Sequence, residues 1–302
     1  MAQHHHLKAV KNSTVRHLTL ESGRTIEWHE YGVTDGSHTS VLLYCHGTPG
    51  SGLEAQVFDQ VARAEGVLVL APDRPGMGGS SNLNARPVVD WNQDATALLI
   101  EREVSRCAVI GYSGGAPYAL ALAASEPNLV ENVGLLAPFT HQNSISKRID
   151  LTTAPAHMSL QRFSYRLLVT PTLHRSASWA MRQLSRLSRS ESGLIAALNA
   201  DVNGQTYLQH LMQSHLHAMQ DSTQRTVNDL TALHSPWGFV IDDLSQDIDV
   251  SVWVGSRDRV ISVRGAQDLA RQLRGNLHKL QGYGHTAIFS LAAPAALKEL
   301  VS

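Results

Sequence analysis

The chain has 302 residues, enough for one large domain or one domain with an insertion. Hydrophobic residues make up 43% and charged residues 17%, which excludes a disordered chain and permits a well-filled core. A formal net charge of −1 gives no reason to expect nucleic acid or an anionic membrane as partner. No stretch approaches the ~20 apolar residues of a membrane span, and no apolar signal segment opens the chain. A cytoplasmic protein with a small-molecule partner is therefore expected.

"STVRHLTL" and "RTIEWHEYG", split by "ESG", alternate in polarity and predict an antiparallel hairpin. "SVLLYCHG" is a continuous apolar run, as in a strand buried on both faces. "LEAQVFDQVARAEG" has helical spacing and a closing Gly66, and "VLVLAPD" is a second buried strand. "VVDWNQDATALLIEREV" predicts a helix with Val89, Ala97, Leu98 and Ile100 among its apolar positions. A strand "CAVIGYS", a helix "APYALALAASEP" and a strand "VENVGLLAPF" follow. Strands alternating with helices predict a parallel sheet covered on both faces.

The alternation stops after Phe139. Residues 140–235 contain no convincing buried strand, and their segments have helical spacing. One stripe comprises Tyr207, Leu208, Leu211, Met212, His215, Leu216 and Met219. Alternation resumes with "DVSVWVGSRD", a helix near "RGAQDLARQLRG", the strand-like "NLHKLQGYGH" and a last helix "AAPAALKELV". The chain thus divides into core residues 1–139, a helical insertion at 140–235 and core residues 236–302.

"GYSGG" at residues 111–115 sits where a strand becomes a helix. A serine at such a turn adopts a strained backbone, Gly111 and Gly115 remove side chains that would clash, and the helix N-terminus supplies N–H groups for an oxyanion. The alternative is a strand-to-helix turn with an incidental serine. A nucleophilic serine needs a base, and the base needs an orienting carboxylate. Asp258 follows the predicted strand "VSVWVG", and His285 follows the next one. Each candidate lies where a loop leaves the carboxyl end of a strand. A salt bridge to Arg257 or Arg259 is the other role for Asp258, and a capping or core position the other role for His285. In "CHGTPGSG", glycines let the backbone face a substrate, so Thr48 N–H and Gly114 N–H are the expected oxyanion donors. His46 precedes the donor and is expected to buttress the loop. Asp73 and Arg74 are expected to hold theirs by a local salt bridge or hydrogen bonds.

The motifs "HGTPGS", "DRPGMGGS", "GYSGGAPYALALA", "GSRDRVI" and "GYGH" resemble the α/β-hydrolase superfamily across roughly 200 residues, most closely its bacterial "HGTPGS/DRPGxG" serine hydrolases. The resemblance implies an α/β fold with an eight-stranded, mostly parallel sheet, helices on both faces and an inserted helical cap. It also implies a Ser113–His285–Asp258 triad. The expected activity is hydrolysis of a carboxylic ester, or related acyl bond, of a small, largely apolar substrate. The same triad also serves carbon–carbon bond hydrolases, acyltransferases and cofactor-independent oxygenases or lyases, and the fold also hosts non-catalytic ligand sensors. Haloalkane dehalogenases and epoxide hydrolases carry aspartate where Ser113 stands, which disfavours those chemistries.

Tyr112, Leu211 and Met212 are candidates for the substrate pocket. In the cap, Leu167, Leu168, Trp179 and Met181 either line that pocket or pack the helices together. Arg175, Arg182, Arg186 and Arg189 either greet an anionic substrate or form a solvated face. No cofactor is expected. Among the sixteen histidines, no metal-binding spacing is found, and His210, His215 and His217 lack a nearby Asp or Glu. Cys45 and Cys107 read as buried free thiols.

Overall fold

The computed structural model describes residues 14–83, 86–140, 211, 213–219 and 223–302. Among these residues, eight strands form one sheet. They are β1 (Thr14–Thr19), β2 (Thr25–Gly32), β3 (Ser40–Cys45), β4 (Val67–Pro72), β5 (Cys107–Tyr112), β6 (Val130–Leu136), β7 (Asp249–Gly255) and β8 (Asn276–Leu280). Their spatial order is β1-β2-β4-β3-β5-β6-β7-β8. β2 pairs antiparallel with both neighbours, and every other pairing is parallel. The expected hairpin is thus the entry to a mostly parallel sheet.

The central strands are buried on both faces, and alternate residues go to opposite cores. Val41, Leu43 and Cys45 join one apolar cluster, while Leu42 and Tyr44 join the other. Val109 and Ile110 divide in the same way. The first cluster is closed by α2 (Trp91–Glu101), α3 (Ala116–Ser125), α4 (Thr223–His234) and α5 (Val263–Gln272). The second is closed by α1 (Asp59–Ala64) and α6 (His285–Val301).

Several boundaries differ from the sequence reading. The segment opening at Gly52 begins as a 3₁₀ turn, Gly52–Phe58, before α1. Gly66, at φ +71, closes it as expected. In α2 the buried stripe runs through Trp91, Ala95, Leu98 and Leu99. Ile100 is 71% exposed, because it lies about 200° round the helix from Leu98. The last helix begins earlier than expected, at His285, and carries Pro294 in its interior. Residues 213–218 are helical, but Leu216 in the expected apolar stripe is exposed. The remaining insertion residues singled out above, 167 to 212 apart from Leu211, lie outside the described residues.

Cys45 and Cys107 are free and buried. Register sets Cys45 opposite Gly111, so Cys107 lies four residues back along β5, about 13 Å away at ~3.3 Å per residue. A bridge needs Cα atoms within about 7 Å. No helix among the described residues is long and apolar enough to cross a membrane.

Candidate active site

β5 ends at Tyr112, and the chain turns at once through Ser113–Gly115 into α3. Ser113 has φ +50, a conformation that costs about 1–3 kcal/mol in a non-glycine residue. The glycines make this turn possible. A Cβ on Gly111 would stand 2.7 Å from Ala116 Cα, and one on Gly115 would collide with Cys45 O. The Ser113 carbonyl also accepts a hydrogen bond from Phe139 N–H at 2.8 Å, which fastens the elbow to the loop after β6.

Asp258 and His285 arrive on loops that brace one another. Ser256 N–H donates to Leu280 O, and Arg257 N–H donates to Tyr283 O, both at 2.9 Å. Gly255 allows this approach, since a Cβ there would strike the Tyr283 carbonyl. The Asp258 side chain is fully buried. Its Oδ1 accepts from Val260 N–H at 2.8 Å and Ile261 N–H at 3.0 Å. Its Oδ2 lies 2.8 Å from His285 Nδ1, and His285 Nε2 lies 2.9 Å from Ser113 Oγ. A carboxylate only accepts hydrogen bonds. The proton of neutral His285 therefore sits on Nδ1, and the Nε2 lone pair faces the Ser113 hydroxyl. Three residues expected at separate strand ends meet in one chain of hydrogen bonds.

Thr48 and Gly114 are also brought together. A Cβ on Gly114 would stand 2.8 Å from Thr48 Cβ, so only glycine lets the elbow approach this loop so closely. Thr48 is held by a buried polar hub that the sequence reading missed. Its Oγ1 donates to Asp229 Oδ2 at 2.7 Å and accepts from Arg74 Nη2 at 2.7 Å. Arg74 also donates to Asp229 at 2.8 Å and to the carbonyls of His46 and Gly47. Tyr118 donates to Asp229 Oδ1 at 2.6 Å. Arg74 thus forms its salt bridge across the fold with α4, while the hydrogen bonds expected to hold the loop are those to His46 and Gly47. Burial alone would raise the Asp229 carboxyl, but the charge of Arg74 and its hydrogen bonds hold it well below the usual range. Asp229 falls at helical spacing with buried Thr226, Leu230 and Leu233. An acid in an otherwise buried stripe was the available signal.

His46 does brace the loop. Its Nδ1 lies 2.8 Å from Gly47 O, and its Nε2 accepts Arg74 N–H at 3.0 Å. That requires the neutral ring with its proton on Nδ1. Burial, reinforced by the Arg74 charge, lowers its pKa to about 3. Glu54 bonds Tyr44 Oη and Gly47 N–H, both at 2.8 Å. Burial raises its pKa to about 7, despite those two donors.

Tyr112 lies in the second core cluster, its ring stacked on Phe289 at 4.5 Å and 5.3 Å from the His285 ring. Its ring is buried and packs beside the base. Leu211 is partly buried against the same cluster, and Met212 lies outside the described residues.

The expectation that His217 lacks carboxylate partners is overturned. Its Nε2 lies 2.7 Å from Glu27 Oε1 and 3.2 Å from Asp73 Oδ2. Those acids stand 190 and 144 residues away, so no local spacing reveals them. Burial would lower the His217 pKa, but hydrogen bonds to Asp73 and Glu27 raise it to about 10.

A family model described as "Alpha/beta hydrolase family" matches residues 42–300. Among curated proteins, the sn-1-specific diacylglycerol lipase ABHD11 of Danio rerio is 31% identical over 105 residues, 34% of this chain and 33% of that protein. The chain therefore spans about a third of the length of that relative. Among solved structures, the esterase EaEST from Exiguobacterium antarcticum matches with a TM-score of 0.67 at 15% identity, covering 95% of this chain and 99% of that one. The esterase RhEst1 from Rhodococcus sp. ECU1013 matches with a TM-score of 0.68 at 16% identity, covering 95% and 98%. Likeness at these identities shows a shared fold.

Proposed function

This chain belongs to the alpha/beta hydrolase family, and we propose that it is a serine hydrolase that cleaves a carboxylic ester through an acyl-enzyme on Ser113. The observation that carries this reading is the unbroken path from Ser113 Oγ to His285 Nε2 at 2.9 Å and from His285 Nδ1 to Asp258 Oδ2 at 2.8 Å. The path ends at a serine whose strained turn displays it. Support for an ester or related acyl bond comes from the similar proteins, one a diacylglycerol lipase and two esterases.

In this reading His285 Nε2 takes the Ser113 proton as Oγ attacks the carbonyl carbon. The carbonyl oxygen becomes an oxyanion and accepts from Thr48 N–H and Gly114 N–H. Each such donor lowers the barrier by ~3–4 kcal/mol. Asp258 holds the imidazole in the required tautomer and stabilises the imidazolium. The imidazolium returns its proton to the alkoxide, which departs as an alcohol and leaves the acyl group on Ser113. Water then gives a proton to Nε2 and attacks the acyl carbon. Collapse of the second oxyanion releases the carboxylic acid and restores the hydroxyl. We take residues 140–235 as the cap that shapes the acyl and alcohol pockets.

A panel of p-nitrophenyl acyl esters tests the assignment. Release of p-nitrophenol by the parent chain, lost in Ser113→Ala, is the expected result. Equal release by both proteins contradicts it.

A further inference from the structure

Four side chains outside the Ser113 site converge from three separate stretches of chain. Glu27 and His29 lie on one face of β2, two residues apart. Asp73 follows β4, and His217 comes from the helical residues 213–218. One ligand-competent atom of each lies within 4.8 Å of those of the others.

His29 is the informative member. It is 2% exposed, and neither ring nitrogen has a hydrogen-bond partner among the described residues. Leaving a buried imidazole unpaired is costly. Its Nε2 faces two carboxylate oxygens, Glu27 Oε1 and Asp73 Oδ2, each at 3.9 Å. That separation is too long for a hydrogen bond. Two ligands of a tetrahedral zinc, each ~2.0–2.1 Å from the metal, stand about 3.3 Å apart, so a small inward shift of the ring would let it share a central ion with the two carboxylates. The His217 contacts at 2.7 and 3.2 Å fall on the short side of that separation and the His29 contacts on the long side.

The surroundings hold the acids in place. Asp73 Oδ1 accepts from Gly52 N–H at 2.6 Å, and Glu27 Oε1 accepts from Gly79 N–H at 3.1 Å. His17 Nε2 lies 2.8 Å from Glu27 Oε2. Gly78 and Gly79 leave the room required. A Cβ on Gly78 would collide with Asp73 and stand 2.7 Å from His217 Nε2, and one on Gly79 would collide with Glu27. Two carboxylates balance a divalent charge. Two imidazoles select a borderline-soft transition metal over calcium or magnesium.

We infer that Glu27, His29, Asp73 and His217 together form a binding site for one divalent transition-metal ion of zinc's class, distinct from the hydrolytic residues. The ion ties residues 213–218 to β2 and to the loop after β4. It does so beside the contact of Ser214 Oγ with Ser51 N–H at 2.8 Å, in the loop that carries Thr48. Its role is structural, and it stands or falls independently of the ester hydrolysis proposed above.

Calorimetry with zinc chloride on the chelator-treated full chain tests the site. His4, His5 and His6 are changed to glutamine in every sample, so that the N-terminal histidine run does not contribute. The expected result is one zinc per chain with Kd at or below the micromolar range and a raised melting temperature. Calcium and magnesium should bind at least 100-fold more weakly. His29→Gln and His217→Gln should each weaken zinc binding by 100-fold or more, with far-UV dichroism unchanged. Should His29→Gln not fold, His217→Gln decides, because its side chain is on the cluster's more exposed side. The inference is overturned if the parent binds no zinc saturably, if calcium binds as tightly, or if the folded variants retain the parent's affinity. The first of these results would assign the cluster to an imidazolium–carboxylate network alone.

Discussion

The Arg74 guanidinium and the Asp229 carboxylate meet at 2.8 Å with neither side chain exposed, and both bond the hydroxyl of Thr48. Asp229, 181 positions beyond Thr48 in sequence, therefore fixes the loop that faces the elbow. Asp229→Asn leaves the Arg74 charge buried without its counter-charge. Loss of one partner of such a pair costs about 3–5 kcal/mol. Urea denaturation should show a loss of that size. A loss below about 1 kcal/mol would mean that the hub does not hold the fold together.

Glu54 gives stability a pH dependence of definite sign. Its pKa is raised from 4.5 to about 7 in the folded chain, so folding favours its protonated form. The stability it supports is complete below about pH 4.5 and is lost as pH rises through about 7. The stability difference between parent and Glu54→Gln should therefore move against the parent across that interval. A difference that is flat from pH 4 to 8 would contradict the buried, protonated carboxyl.

Asp258 and Asp249 sit at opposite ends of β7. Asp249 begins the strand, whereas Asp258 follows its last residue and bonds His285. Asp258→Asn should lower kcat by orders of magnitude, as the loss of the orienting carboxylate lowers it ~10⁴-fold in a serine protease. Far-UV dichroism should barely change. Asp249→Asn should be much milder. Near-normal turnover by folded Asp258→Asn would move the acid elsewhere.

Cys45 and Cys107 should be slow to react in the native state. Burial raises both thiols to about 12, which leaves little thiolate at neutral pH. A disulfide reagent should count two thiols in denaturant, with or without prior reductant, and fewer in the native protein. A denatured count that rises after reduction would indicate a bridge.

Local pattern made much of the fold legible. Runs such as "SVLLYC" and "VLVLAP" are apolar at both parities because both strand faces are buried. The elbow was legible because its chemistry is contiguous, from Gly111 through Gly115. What escaped were partnerships between distant segments. Asp73 precedes Arg74 in sequence, and a local salt bridge or hydrogen bonds were expected. Arg74 instead reaches Asp229 on α4, while Asp73 turns to Gly52 N–H and His217. Likewise Glu27 and His29 read as the polar half of an alternating strand, yet β2 is buried along nearly its whole length. Periodicity shows which residues share a face, not what lies opposite them.

Covalent labelling tests the central claim most directly. A fluorophosphonate reacts with a serine only when a base activates it, and intact-peptide mass spectrometry locates the adduct. The parent chain should carry one adduct on the peptide containing Ser113, and Ser113→Ala should carry none. Undiminished labelling of Ser113→Ala, or no labelling of the folded parent, would contradict Ser113 as the nucleophile.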